Sequence, residues 1–125
     1  MFIKHLQDCS EFIAGDQSHL REIFNPNKNK LNLHYSLAWA MVRPREKTLP
    51  HKLNFSEVYY IIKGVGKIHI DNEEKSISAN DTVYIPPQAV QYLENIGEEN
   101  LEFLCIVDPA WEPKVEQIID LVNEK

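Results

Sequence analysis

From about Leu33 to Val107 the chain runs as short β-type segments cut by turn residues. The candidate strands are Tyr35 to Val42, Val58 to Ile62, Lys67 to Ile70, Thr82 to Ile85, Tyr92 to Glu94 and Leu101 to Val107. Each is rich in Val, Ile, Tyr, Phe or Leu, which suit a pleated, half-buried surface. Pro44, Pro50, Gly64 with Gly66, Asp71-Asn72, Asn80-Asp81, Pro86-Pro87 and Asn95 with Gly97 mark the breaks. Strands this short and this regularly spaced predict an all-β sandwich or barrel and argue against a parallel α/β arrangement.

The two ends read differently. Residues 1–32 form an arm with a strand or two around His19 to Phe24, followed by the polar loop Asn25 to Lys30. At the other end, Pro113 suits a first helical position, because its missing N–H would be unpaired there anyway. Val115, Ile118, Ile119 and Val122 then follow at i, i+3, i+4 and i+7. That stripe predicts a short amphipathic α-helix over about 113–123, packed on the barrel. With no internal repeat and no long linker, residues 1–125 are expected to form one domain with its core at about 33–107.

Composition narrows the function. The formal net charge of −6 argues against a nucleic-acid binder, which needs clustered Lys and Arg against phosphate. Arg43, Arg45 and Lys47 are interrupted by Pro44 and Glu46 and read as a solvated strand end. Cys9 and Cys105 lie far apart without CxxC spacing, so they suggest reduced thiols rather than a zinc motif or a disulfide framework. No run is long and apolar enough for a membrane helix, and Met1 to Ser10 lacks the apolar core of a signal peptide. A cytoplasmic protein without membrane or nucleic-acid partners is expected.

The most informative stretch runs from Pro50 to Gly64. A strand ends at His51, a short turn follows, and the next strand opens with Glu57. Alternation puts Glu57, Tyr59 and Ile61 on one face and Val58, Tyr60 and Ile62 on the other. A carboxylate heading a row that continues Tyr, Ile stands at a barrel mouth or inside with a partner, since burying it alone is costly. His51, brought alongside by the turn, is the natural partner. The opposite row, Val58, Tyr60 and Ile62, is too apolar for open solvent and predicts a homodimer that covers this face together with the N-terminal arm.

Here the chain resembles the cupin superfamily. The first cupin motif, Gly-x5-His-x-His-x3–4-Glu-x6-Gly, is met by His51, Glu57 and Gly64, while Arg45 stands at its leading glycine and Leu53 at its second histidine. The second, Gly-x5-Pro-x-Gly-x2-His-x3-Asn, is met by Pro86 and Asn95, with Asn80, Gln88 and Gln91 replacing its glycines and histidine. The resemblance covers about residues 35–107. It implies a double-stranded β-helix barrel of the jelly-roll kind.

Cupins typically hold a divalent metal through three His and one Glu. Carried over position by position, the resemblance implies His51, Glu57 and Gln91 as the metal ligands of this chain, for Zn, Ni, Mn or Fe. Leu53 offers no donor, and an amide is a weaker donor to transition metals than imidazole. The same three side chains equally well form a hydrogen-bonded polar cluster without metal. His34 and His69 are further imidazoles that could complete a set, although a lone strand histidine is more often satisfied or exposed. Tyr59, sharing Glu57's face, and Gln91 are the candidate ligand-binding residues. Two functions follow from the resemblance: a pocket protein for a divalent metal or a small polar ligand such as a sugar or organic acid, or an isomerase, epimerase or lyase. In the second, Glu57 acts as base and His51 as acid or electrophile.

Overall fold

A computed structural model describes residues 1–120. In chain order the strands are β1 (Glu11–Ile13), β2 (His19–Phe24), β3 (Ser36–Val42), β4 (His51–Leu53), β5 (Ser56–Lys63), β6 (Val65–Ile70), β7 (Glu73–Ser78), β8 (Thr82–Ile85), β9 (Gln91–Asn95), β10 (Leu101–Asp108) and β11 (Glu116–Ile118). They form a 6-stranded sheet in the order β1-β2-β3-β10-β5-β8 and a 5-stranded sheet in the order β11-β4-β9-β6-β7. All pairings are antiparallel, and the two sheets face each other as a jelly-roll barrel.

Alternation decides what lies between the sheets. From β5, Tyr59 and Ile61 point inward; from β10, Leu101, Phe103 and Cys105; from β3, Ala40 and Val42; and from the facing sheet, Ile68, Ile77 and Leu93. This apolar cluster fills one end of the barrel. The other end, around His51, Glu57 and Gln91, is polar and buried. Each candidate core strand is present, with bounds moved by at most two residues, and His51, expected to end a strand, instead begins β4. The expected break at Asp71-Asn72 is a tight turn, and Glu73 already begins β7, a strand the sequence did not mark, paired with β6.

The expected C-terminal α-helix is not found among the described residues. Pro113–Val115 makes a single 3-10 turn, and Glu116–Ile118 continues as β11, antiparallel to β4. Two further backbone bonds, Asn54 N–H to Val115 O at 3.0 Å and Ile119 N–H to Pro50 O at 2.8 Å, extend the pairing. The cause is local and tertiary together. Val115, Ile118 and Ile119 are β-branched, which favours a strand, and the short β4 would otherwise leave a row of unpaired backbone groups. Val115 and Ile119 are buried as the stripe required, but Ile118 faces out. Val122 and the end of the expected helix lie outside the described residues.

The backbone carries an imprint of the motif glycines. Arg45, Asn80 and Gln88, which replace them, take left-handed conformations with φ of 69°, 76° and 71°. Such angles are uncommon for residues with a Cβ and natural for glycine. Gly64, which the chain keeps, has φ 97°, and a Cβ there would come within 2.8 Å of Asn100 O and 2.9 Å of the Leu101 Cα. Gln17 and Asp71, outside the motifs, share this backbone, so three of the five left-handed non-glycine residues among those described fall where the motifs place glycine.

Candidate functional site

The polar end of the barrel encloses a cavity of about 100 Å³. β4 and β9 meet at the pair His51↔Gln91, and β5 brings Glu57 to the same end from the opposite sheet. Gln91 bridges two neighbours: its Nε2 donates to Glu57 Oε1 at 2.8 Å, and its Oε1 accepts the Tyr59 hydroxyl at 2.8 Å. The structure thus brings His51, Glu57, Tyr59 and Gln91 together. His34 is exposed ahead of β3. His69 lies on the outer face of its sheet, stacked on Tyr92 with ring centroids 4.0 Å apart and held by Glu94 at 2.6 Å. Neither joins the site.

Two acidic side chains that the sequence did not mark complete the site. Asp16 reaches it from the β1–β2 turn, where its Oδ1 accepts Ser18 N–H at 3.0 Å and Ser18 Oγ–H at 2.7 Å, leaving Oδ2 3.6 Å from His51 Nε2. Glu116 enters from β11 and accepts the Trp111 indole N–H on Oε2 at 2.9 Å. The apolar wall comes from Leu20, Ala38, Phe103 and Val107. An acidic residue in a polar turn looks like surface, and Glu116 looked like the solvent side of a helix. Only the closing of the arm and of β11 over the barrel mouth turns both inward.

The electrostatics follow from burial. Glu57 is 7 % exposed. Desolvation pushes its carboxyl up from the usual 4.5 to about 7, helped by the neighbouring charges of Asp16 and Glu116, with His51 and the Gln91 hydrogen bond pulling the other way. Burial likewise raises Glu116, with Asp16 adding to the shift. Burial and the carboxylates lift Tyr59 well above its usual range, so it remains an O–H donor. His51 Nδ1 lies 2.7 Å from Leu49 O. A carbonyl only accepts, so Nδ1 carries a proton, and in the neutral ring the lone pair of Nε2 faces the cavity.

The cupin domain signature matches residues 38–107. A protein of Methanocaldococcus jannaschii, itself uncharacterized, is 39% identical over 110 residues, covering 87% of each chain. The chain belongs to the cupin family. An oxalate-binding protein of Thermotoga maritima is 33% identical over 51 residues, covering 41% of this chain and 42% of that protein. Among solved structures, a Cupin 2 conserved barrel domain protein from Salinispora arenicola superposes with a TM-score of 0.75 at 18% identity, covering 91% of each chain. At that identity the likeness shows the fold alone.

This cupin's donor set does not fit the three-His, one-Glu metal centre that the family implies. At the four corresponding positions, Leu53 is hydrocarbon and both amide atoms of Gln91 are engaged by Glu57 and Tyr59. Among the described residues no group of three or more His, Cys, Asp or Glu is disposed to hold a metal ion. His51 and Glu57 both line the cavity, with His51 Nε2 set 3.6 Å from Asp16 Oδ2.

Proposed function

We propose that this cupin binds a small polar molecule in the barrel cavity, with His51 and Glu57 contacting it and the Tyr59–Gln91 bridge fixing Glu57. One observation carries the reading. Glu57 is buried at the cavity wall with one oxygen held by Gln91 and, among the described residues, no donor for the other. That oxygen is not sealed within the protein, since His19 Nδ1 alone is a buried side-chain atom without a partner among the described residues, and at the cavity wall it is placed to accept from whatever fills the site.

Glu57→Leu tests this. The substitution leaves Gln91 Nε2 without its acceptor but also removes a carboxylate held in an unfavourable place, so the fold is expected to survive. A thermal-shift screen of small sugars, organic acids and amines should give compounds that stabilise the wild type and leave Glu57→Leu unmoved. Hits that stabilise both proteins equally would move the site elsewhere.

A second reading is acid–base chemistry of the isomerase, epimerase or lyase kind. It is favoured by the Glu57 value near 7 beside an imidazole, the range in which a group both gives and takes protons at neutral pH.

We also propose that the protein pairs through the outer face of the 6-stranded sheet. Tyr60, Ile62 and Tyr84 are exposed there at 39%, 43% and 63%, with Val58, Leu104 and Ile106 half-buried between them. A homodimer would cover this apolar face. Light scattering at micromolar concentration should give twice the 14.6 kDa chain mass, and a monomer mass would remove the proposal.

A further inference from the structure

We infer that the β1–β2 turn, Ala14 to Ser18, is the gate of the cavity: it lifts off the barrel mouth as one piece, with Asp16 as its latch, while the C-terminal segment stays in place. The inference rests on the binding reading above, because it says how a molecule reaches His51 and Glu57. Those side chains are 3% and 7% exposed, so a solute meets them only after part of the wall moves. Two segments close the mouth, the turn with Ala14, Gly15 and Asp16 and the later stretch with Trp111 and Glu116. They pack against each other, since a Cβ on Gly15 would lie 3.6 Å from Glu116 Oε1.

The two are fastened very differently. β11 is laddered to β4 through Glu116, Gln117 and Ile118, and the ladder is extended by Asn54 N–H to Val115 O at 3.0 Å and Ile119 N–H to Pro50 O at 2.8 Å. Upstream, Trp111 N–H donates to Ser36 Oγ at 3.0 Å, and Trp111 O accepts from Asn25 Nδ2 at 3.0 Å. The turn, among the described residues, is tied to the barrel at Asp16 alone. Leu49 N–H donates to Asp16 O at 2.7 Å, and Asp16 Oδ2 lies 3.6 Å from His51 Nε2.

The remaining hydrogen bonds of the turn are internal. Ser18 N–H and Oγ–H donate to Asp16 Oδ1, Ala14 N–H to Ser18 O at 2.8 Å and Gln17 N–H to Ala14 O at 2.9 Å. The turn therefore keeps its shape when it leaves the barrel. Asp16 is buried between exposed Gly15 and Gln17, as expected of a surface turn that docks through one residue. Local opening takes the route that breaks the fewest bonds, and here that route is the turn.

Cys105, 8% exposed on the cavity wall, reports the opening. Burial, with Glu57 and Asp16 nearby, holds its thiol well above the usual range, so a thiol reagent gains little reaction while the mouth is shut. The test is modification of the full chain, carrying Cys9→Ser, by methyl methanethiosulfonate, followed by mass spectrometry. Leu49→Pro deletes the N–H that holds Asp16 O. Leu49 is exposed, does not line the cavity, keeps its carbonyl for His51 Nδ1, and precedes Pro50, which favours the extended backbone that proline needs. Cys105 should react at least ~5-fold faster in this variant, the factor of one net hydrogen bond. Amide exchange of the wild type supplies a measurement that needs no variant to fold: the Leu49 N–H should be less protected than those of Asn54 and Ile119.

An unchanged Cys105 rate in folded Leu49→Pro overturns the inference, as does a rise matched by equal loss of protection at the core amide of Leu93, which would mean global unfolding. Asn54 and Ile119 amides less protected than that of Leu49 would make the C-terminal segment the gate instead. Neither measurement uses a ligand. Failure of the thermal-shift screen would therefore remove the binding reading and leave the gate, whereas these outcomes remove the gate and leave the pocket.

Discussion

The double variant Leu53→His, Gln91→His should bind Zn, Ni or Fe at least ~100-fold more tightly than the wild type, corresponding to roughly 2.7 kcal/mol. Leu53 shares a face of β4 with His51, is 4% exposed and lines the cavity. Gln91 is 1% exposed and sits opposite His51 across the β4–β9 pair. Leu53 therefore faces the cavity, and Gln91 stands behind its wall against Glu57 and Tyr59, at the two positions where the motif places its second and third imidazoles. Replacing hydrocarbon and an engaged amide by imidazole supplies two strong donors and releases Glu57 from its bridge. Competition with a coloured chelator, on protein shown to be folded by circular dichroism, measures the change. Equal affinities would mean that the two positions do not converge, and the correspondence between these motifs and a metal site would fail.

The barrel was legible because its signals are local. Strand periodicity, Gly and Pro punctuation and the motif offsets each survive in a window of a dozen residues. The left-handed backbone at Arg45, Asn80 and Gln88 falls where the motif spacing places glycine, although other residues stand there. His51, Glu57, Tyr59 and Gln91 were legible for the same reason, since alternation and motif spacing place them on inward faces. Asp16 and Glu116 were not. Each reaches the cavity through a long-range backbone pairing, Leu49 N–H to Asp16 O at 2.7 Å and the β4–β11 ladder. No local pattern in the sequence encodes either.

The C-terminal segment failed for a related reason. Four apolar residues at helical spacing fit a helix or a strand about equally over so short a run. What decides between them is the waiting edge of β4, which is a property of the fold.

Glu57→Gln should stabilise the protein in a strongly pH-dependent way. In the native state the Glu57 carboxyl titrates near 7, against 4.5 for the free group. Below pH 4.5 both folded and unfolded chains carry the protonated acid, and glutamine, its neutral mimic, should change little. Between 4.5 and 7 the unfolded chain loses this proton first, so folding must hold a proton that the unfolded state has released, and stability falls as pH rises. Above 7 the native carboxylate is ionised and buried near Asp16 and Glu116, and the full cost is present. At about 1.4 kcal/mol per pH unit this amounts to about 3 kcal/mol. Glutamine still accepts the Gln91 Nε2 hydrogen bond and carries no charge to desolvate. Denaturant melts at pH 4.5, 6 and 8 should therefore show the variant matching the wild type at the lowest pH and exceeding it by about 3 kcal/mol at the highest. The Glu116 carboxyl, raised in the same sense, titrates in both proteins and cancels to first order from the difference. A gap that stayed constant across the three pH values would show that Glu57 is not held in the environment described, and the acid–base reading of the cavity would fall with it.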